Sequence, residues 1–356
     1  MDKKEKLACF PHFGDYSLIV HLLIERCLGY KTMPAPATTK RTVEIGSKNS
    51  PDTVCTPFKI TLGNYIEALE AGANVILAPS IGCRLGFYDV LQRQILKDLG
   101  YEFEMINFFD YTANANRMFK ALNDVDPALT REKFDSVMTL IVRIVLDMDE
   151  LGDFMRKHMA FEVNKGEFDR NYKRYLTEVK QAKDADEAEK MGLKYKEAAK
   201  AIKIDKPEKP VRIRLIGDLY TVIEPHGNCQ IERWLADNKV EITRPIDMTY
   251  LVKTLFDVPS MIAKSGGYVK YGLGGNANNT IALAYEMASQ GFDGIIHMKA
   301  ATCSPEITAM SVLQNISKDY NVPIIYFTFD TETSETGLHT RLEAFHDMLM
   351  MKGGRA

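Results

Sequence analysis

Three short motifs hold the residues best suited to chemistry: Cys55-Thr56-Pro57, Gly82-Cys83-Arg84 and Cys303-Ser304-Pro305. In the first and third, a thiol stands where a helix should open. Proline is favoured there because its missing N–H would have had no partner. A thiolate at such a start is stabilised by unpaired N–H groups and the helix dipole. Soft thiolates with no histidine pattern nearby favour an iron–sulfur centre over zinc or magnesium. Three such ligands would leave one iron without a protein thiolate, an open position of the kind that binds substrate. On spacing alone, a shared metal site and three unconnected thiols stand level.

The other cysteines read differently. Cys9 falls in a first strand and Cys27 on the apolar stripe of a first helix, so both read as small core residues. Cys229, in Pro225-His226-Gly227-Asn228-Cys229, reads as an inert loop thiol, with a fourth ligand as the alternative. No CxxC pair occurs, so neither a zinc ribbon nor a thioredoxin-type site is suggested. His12 and His226 each follow a strand-like segment and could shuttle protons; the blander reading is a hydrogen-bonded loop histidine. Glu224 is a third acid–base candidate. Asp330, Glu332 and Glu335 with Arg341 read as a solvated loop and an ion pair.

The elements that must position these residues alternate. Leu7–Phe10 reads as a strand, Leu18–Leu28 as a helix, and a second strand lies near Tyr30–Met33. Pro34–Asp52 is rich in Pro, Thr, Ser and Asn and reads as a loop. A helix from Cys55 to about Glu70, a strand over Asn74–Pro79 and a helix over Phe87–Leu99 follow. The fold class is α/β: two flavodoxin-like or Rossmann-like parallel-sheet domains with a helical insertion between them. The expected boundaries are 1–125 for the first domain, carrying Cys55 and Cys83, 126–206 for the insertion, and 207–356 for the second domain, carrying Cys303.

A weak internal repeat links the two halves. Gly72 precedes Cys83 by eleven residues and Gly291 precedes Cys303 by twelve, each across a helix end and a buried strand. Ligands in open α/β sheets bind beyond the carboxyl ends of strands, where both cysteines fall. Gly272-Leu273-Gly274-Gly275-Asn276-Ala277 precedes a helix but fits neither the dinucleotide nor the P-loop pattern, and reads as a plain turn.

The 356 residues suit two or three domains, and 46% hydrophobic with 26% charged residues is an ordinary globular composition. A net charge of −3, with no basic stripe interleaved with aromatics, argues against nucleic acid. No run approaches the ~20 apolar residues of a spanning helix. With no secretory pattern, a cytoplasmic protein is expected.

Val54-Cys55-Thr56-Pro57-Phe58-Lys59 with Gly63, Ala78-Pro79-Ser80-Ile81-Gly82-Cys83-Arg84, Cys303-Ser304-Pro305, Pro323-Ile324-Ile325 and Thr340-Arg341-Leu342-Glu343-Ala344-Phe345 together resemble the 2-hydroxyacyl-CoA dehydratase superfamily. The resemblance implies a 4Fe–4S cluster on Cys55, Cys83 and Cys303. It also implies an ATP-hydrolysing iron–sulfur activator as electron donor, and an acyl-CoA thioester reduced to a ketyl radical anion that expels its hydroxyl. A homodimer or a related second subunit is expected. The alternatives are a small-molecule reductase with an 8Fe–9S double cubane, and an electron-carrying or scaffolding partner with no substrate of its own.

Overall fold

The computed structural model describes residues 5–79, 88–109, 114–254 and 257–354. The chain divides into two compact units, Met1–Val145 with Lys180–Glu189, and Leu146–Val179 with Lys190–Ala356.

Unit one is built from β1 (Leu7–Phe10), α1 (Ser17–Leu28), β2 (Lys31–Pro34), α2 (Lys40–Lys48), α3 (Thr56–Glu70), β3 (Val75–Pro79), α4 (Tyr88–Asp98), β4 (Glu104–Phe109) and α5 (Ala115–Val125). Its four strands are parallel, in the order β2-β1-β3-β4. Phe58, Leu62, Tyr65 and Ile66 of α3 close over Ile76 and Leu96 as one apolar cluster. The Tyr65 hydroxyl in that cluster donates to the Leu77 carbonyl at 3.1 Å, so the buried polar atom is satisfied.

The segment 34–52 is where the structure departs from expectation. It holds α2, opened by a capping box between Thr39 and Thr42. The polar composition hides this helix because the face it buries is small rather than apolar. A Cβ on Gly46 would stand 1.8 Å from the Lys59 carbonyl oxygen, and one on Gly63 would stand 2.0 Å from that of Thr42. The two backbones meet where side chains are absent, and Thr42 donates to Glu67 at 2.7 Å.

Three long helices follow: α6 (Arg131–His158), α7 (Glu167–Val179) and α8 (Ala185–Lys200). Unit two then continues with β5 (Val211–Gly217), α9 (Leu219–Ile223), α10 (Ile231–Asp237), β6 (Val240–Thr243), α11 (Met248–Thr254), α12 (Val258–Ala263), α13 (Ala277–Ser289), β7 (Gly294–Ala300), α14 (Ser304–Tyr320), β8 (Ile324–Phe329) and α15 (Glu335–Lys352). α11 and α12 are separate short helices, the second opened by Pro259 behind an Asp257 cap. The second sheet is also parallel, in the order β6-β5-β7-β8.

The strand orders match: numbered within its own unit, each sheet runs 2-1-3-4, the order of the first four strands of a flavodoxin-like sheet. The chain therefore repeats one α/β plan. Among the described residues no helix is long and apolar enough to cross a membrane.

Candidate functional site

In a 2-1-3-4 sheet the strand order reverses between the first and third strands, and the crevice beyond their carboxyl ends is where ligands bind. In unit two those strands are β5 and β7, and the chain turns there from Ala300 to Cys303. Cys303 is the N-cap of α14, with Pro305 in the first turn and its sulfur making no capping bond. Its N–H donates to the Ala300 carbonyl at 3.1 Å.

Four ionisable side chains surround this turn, and the sequence reading missed all of them. Asp218, just past β5, accepts the Ala300 N–H at 2.6 Å and the Thr221 N–H at 2.9 Å. Burial pushes its carboxyl above the ordinary range, against the pull of those N–H groups. Lys299 is 5% exposed and donates to the carbonyls of Ala300 at 3.4 Å and Ala301 at 3.2 Å. Burial holds its ammonium below the usual lysine range, opposed by the charges of Cys303, Asp218 and Glu306.

Behind the turn, His297 and Glu306 are both fully buried, with Nε2 and Oε2 at 2.8 Å. The Thr280 hydroxyl donates to the other Glu306 oxygen at 3.0 Å. β7, α13 and α14 are thus tied at one point. Asn276 reaches the Gly217 carbonyl at 2.8 Å from the start of α13. Gly217 itself lies at φ 142, and a Cβ there would stand 1.7 Å from the Met298 carbonyl oxygen, so only glycine fits. The signal for the histidine and lysine was present in Gly-Ile-Ile-His-Met-Lys-Ala: two polar residues at i and i+2 share one face of a strand whose seven residues are all buried.

In unit one, Cys55 is the N-cap of α3, again with proline in the first turn and no capping bond from the sulfur. Its carbonyl accepts the Phe58 N–H at 3.0 Å. The Cys55 sulfur meets the hydroxyl of Tyr88, the first described residue of α4. Tyr88 is held there edge-on against Phe58, with ring centroids 5.0 Å apart. Cys83 lies outside the described residues.

Cys9 and Cys27 are fully buried, and burial pushes their thiols up to about 12 and about 11. Both stay protonated near neutrality, as small buried core residues. Cys229 sits at positive φ in the turn after α9, its thiol raised by burial.

The acid–base candidates fall in two places. His12 follows β1, where its ring Nε2 bonds the Pro36 carbonyl at 2.8 Å and its backbone N–H donates to Asn64 at 3.3 Å. Glu224 ends α9 in unit two, and its carboxylate accepts the backbone N–H of His226 at 3.2 Å, so these two share one turn. Asp330 organises an exposed turn through Glu332 and Thr333. Arg341 donates to the Tyr326 carbonyl at 2.7 Å and lies over the Phe327 ring. In the glycine-rich loop, Asn278 accepts the Leu273 N–H and donates to the Tyr271 carbonyl, which closes the turn.

The donor chemistry suits a thiolate-bound group. Cys55 and Cys303 stand at helix starts where backbone N–H groups favour an anionic sulfur, and neither sulfur is used as a cap. Among the described residues no three metal-ligating side chains gather.

No curated protein matches the chain. The family model described as 2-hydroxyglutaryl-CoA dehydratase, D-component, matches residues 24–349, a span that includes all three cysteine motifs and both sheets except β1. The chain belongs to the 2-hydroxyglutaryl-CoA dehydratase D-component family and is a subunit of the 2-hydroxyacyl-CoA dehydratase type.

Proposed function

We propose that this chain is the iron–sulfur subunit of an acyl-CoA dehydratase, with Cys55, Cys83 and Cys303 as the thiolate ligands of a 4Fe–4S cluster. The observation that carries this is the shared local setting of Cys55 and Cys303. Each caps a proline-started helix in a unit of the same strand order, with its sulfur unengaged in capping. When bound, such a cluster supplies one low-potential electron at a time to a thioester substrate.

The chain's own residues prepare the ligands. The starts of α3 and α14 favour anionic sulfur, and a Cys55 thiolate would accept from the Tyr88 hydroxyl beside it. Asp218 fixes the Ala300 N–H, and the His297–Glu306–Thr280 tie fixes the first turn of α14, so the Cys303 cap has one position. An ATP-hydrolysing iron–sulfur activator supplies the electron, and a second subunit, identical or related, completes the enzyme in the cytoplasm. Proton transfer during loss of the hydroxyl falls to His12, Glu224 or His226, or to a group on that second subunit.

The test is an iron and sulfide count on protein purified without oxygen. Wild type should carry about four irons per chain; about eight would favour a double cubane instead. Cys55→Ser, Cys83→Ser and Cys303→Ser should each lose iron, while Cys9→Ala and Cys27→Ala keep it. Full iron in any of the first three removes that residue from the ligand set. Iron-free wild type sinks the reading.

A further inference from the structure

We infer that Lys299 is a positioning residue whose ammonium acts on the sulfur of Cys303 and, on the cluster reading above, raises the reduction potential of the bound cluster. The geometry begins with a shared acceptor. The Ala300 carbonyl takes both the Cys303 N–H at 3.1 Å and the Lys299 Nζ at 3.4 Å, and Ala301 takes the same ammonium at 3.2 Å. The charge therefore sits inside the turn that carries the cysteine.

Its other neighbours do not account for it. Asp218 has its oxygens on the N–H groups of Thr221 and Ala300, and Glu306 has its oxygens on His297 and Thr280. Both partners of the ammonium are neutral carbonyls, which an uncharged amide would serve as well. Burying a cation in a wholly buried strand is costly unless an anion offsets it. Of the anions around Lys299, Cys303 acts on it most strongly. A cation beside a ligating sulfur favours the more negative, one-electron-reduced side of the cluster couple. The electron arriving from a low-potential donor is then accepted more readily, and a positive site in a low-dielectric turn needs no reorganisation to accept it.

The test compares Lys299→Arg, Lys299→Gln and Lys299→Met in the whole chain, purified without oxygen. Iron is counted first, and the cluster is then titrated with a low-potential chemical reductant under EPR. Iron-free wild type overturns the cluster reading before any variant is compared. With iron present, Lys299→Gln keeps a donor for the two carbonyls and loses the charge. It should shift the reduction equilibrium about tenfold toward the oxidised cluster, ~59 mV for a one-electron couple. Lys299→Arg should stay within about threefold of wild type. Lys299→Met should match Lys299→Gln, and if it does not fold, Lys299→Gln decides alone. A wild-type potential in Lys299→Gln, an equal shift in Lys299→Arg, or loss of iron from Lys299→Gln would each overturn the inference in favour of a purely structural lysine.

Discussion

Glu306 has both carboxylate oxygens engaged inside unit two, one by His297 and one by Thr280, and none of its surface is exposed. Glu306→Ala would strand a ring N–H and a hydroxyl in a site that water does not reach. Leaving a buried polar group unpaired costs ~1–3 kcal/mol, and here two are stranded at once. Glu306→Ala should therefore lose about 3–4 kcal/mol of stability in urea unfolding. Glu306→Gln retains an oxygen for His297 and places an amide against a Thr280 hydroxyl that can rotate to accept, so about 1 kcal/mol should be lost. Equal losses in the two variants would mean that volume, not hydrogen bonding, is what Glu306 contributes. At this scale the sequence exposes the ligands better than their supports. Cys303-Ser304-Pro305 announces itself because proline marks a helix start. His297 and Lys299 are disguised by the apolar strand around them, and the carboxylates that meet His297 and the Ala300 N–H, Glu306 and Asp218, lie on other elements.

The start of α3, and so the place of Cys55, depends on how α2 lies against it. Gly46 and Gly63 sit where the two helices cross, each under a carbonyl of the other helix. Two effects oppose each other in Gly63→Ala. Alanine gains about 0.5–1 kcal/mol over glycine inside a helix. The new methyl would stand 2.0 Å from the Thr42 carbonyl oxygen, and forcing backbone apart typically costs about 1–3 kcal/mol, occasionally more. The contact is against rigid backbone, so the clash should win. Gly63→Ala should melt earlier than wild type by circular dichroism, with a net loss of about 2 kcal/mol. A higher melting temperature would show that α2 is free to shift, and that the Cys55 cap does not depend on it. This contact also explains why α2 was illegible. Lys-Arg-Thr-Val-Glu-Ile-Gly-Ser-Lys has no apolar stripe because the face it buries is Thr42 and Gly46. Elements with ordinary stripes or apolar runs, such as α1, α3 and β7, are plain in the sequence.

Across the whole chain, the repeat is what the sequence could only hint at. Two glycine-to-cysteine spacings suggested it, and two sheets of identical strand order establish it. The topological counterpart of α3 is α13, which also precedes the third strand of its sheet; where α3 is capped by Cys55, α13 is capped by Asn276. The second half therefore presents one thiol at its sheet edge, Cys303, with an amide in the other position. The halves also differ in what they lose in acid. In unit one, burial holds the His21 ring at about 4, with Lys180 and His12 adding to the effect, and its Nε2 has no partner among the described residues. An unfolded histidine takes its proton near ~6.5. Between about 6.5 and about 4 the unfolded chain therefore binds the extra proton, and stability rises with pH across that window. This one group should remove about 1.2 kcal/mol by pH ~5.5 and about 2.4 kcal/mol by pH ~4.5, relative to neutrality. His21→Leu has nothing to titrate, so its unfolding free energy in urea should gain on that of wild type by that amount as the pH falls. Parallel curves for the two proteins would mean that His21 is hydrated in the folded chain.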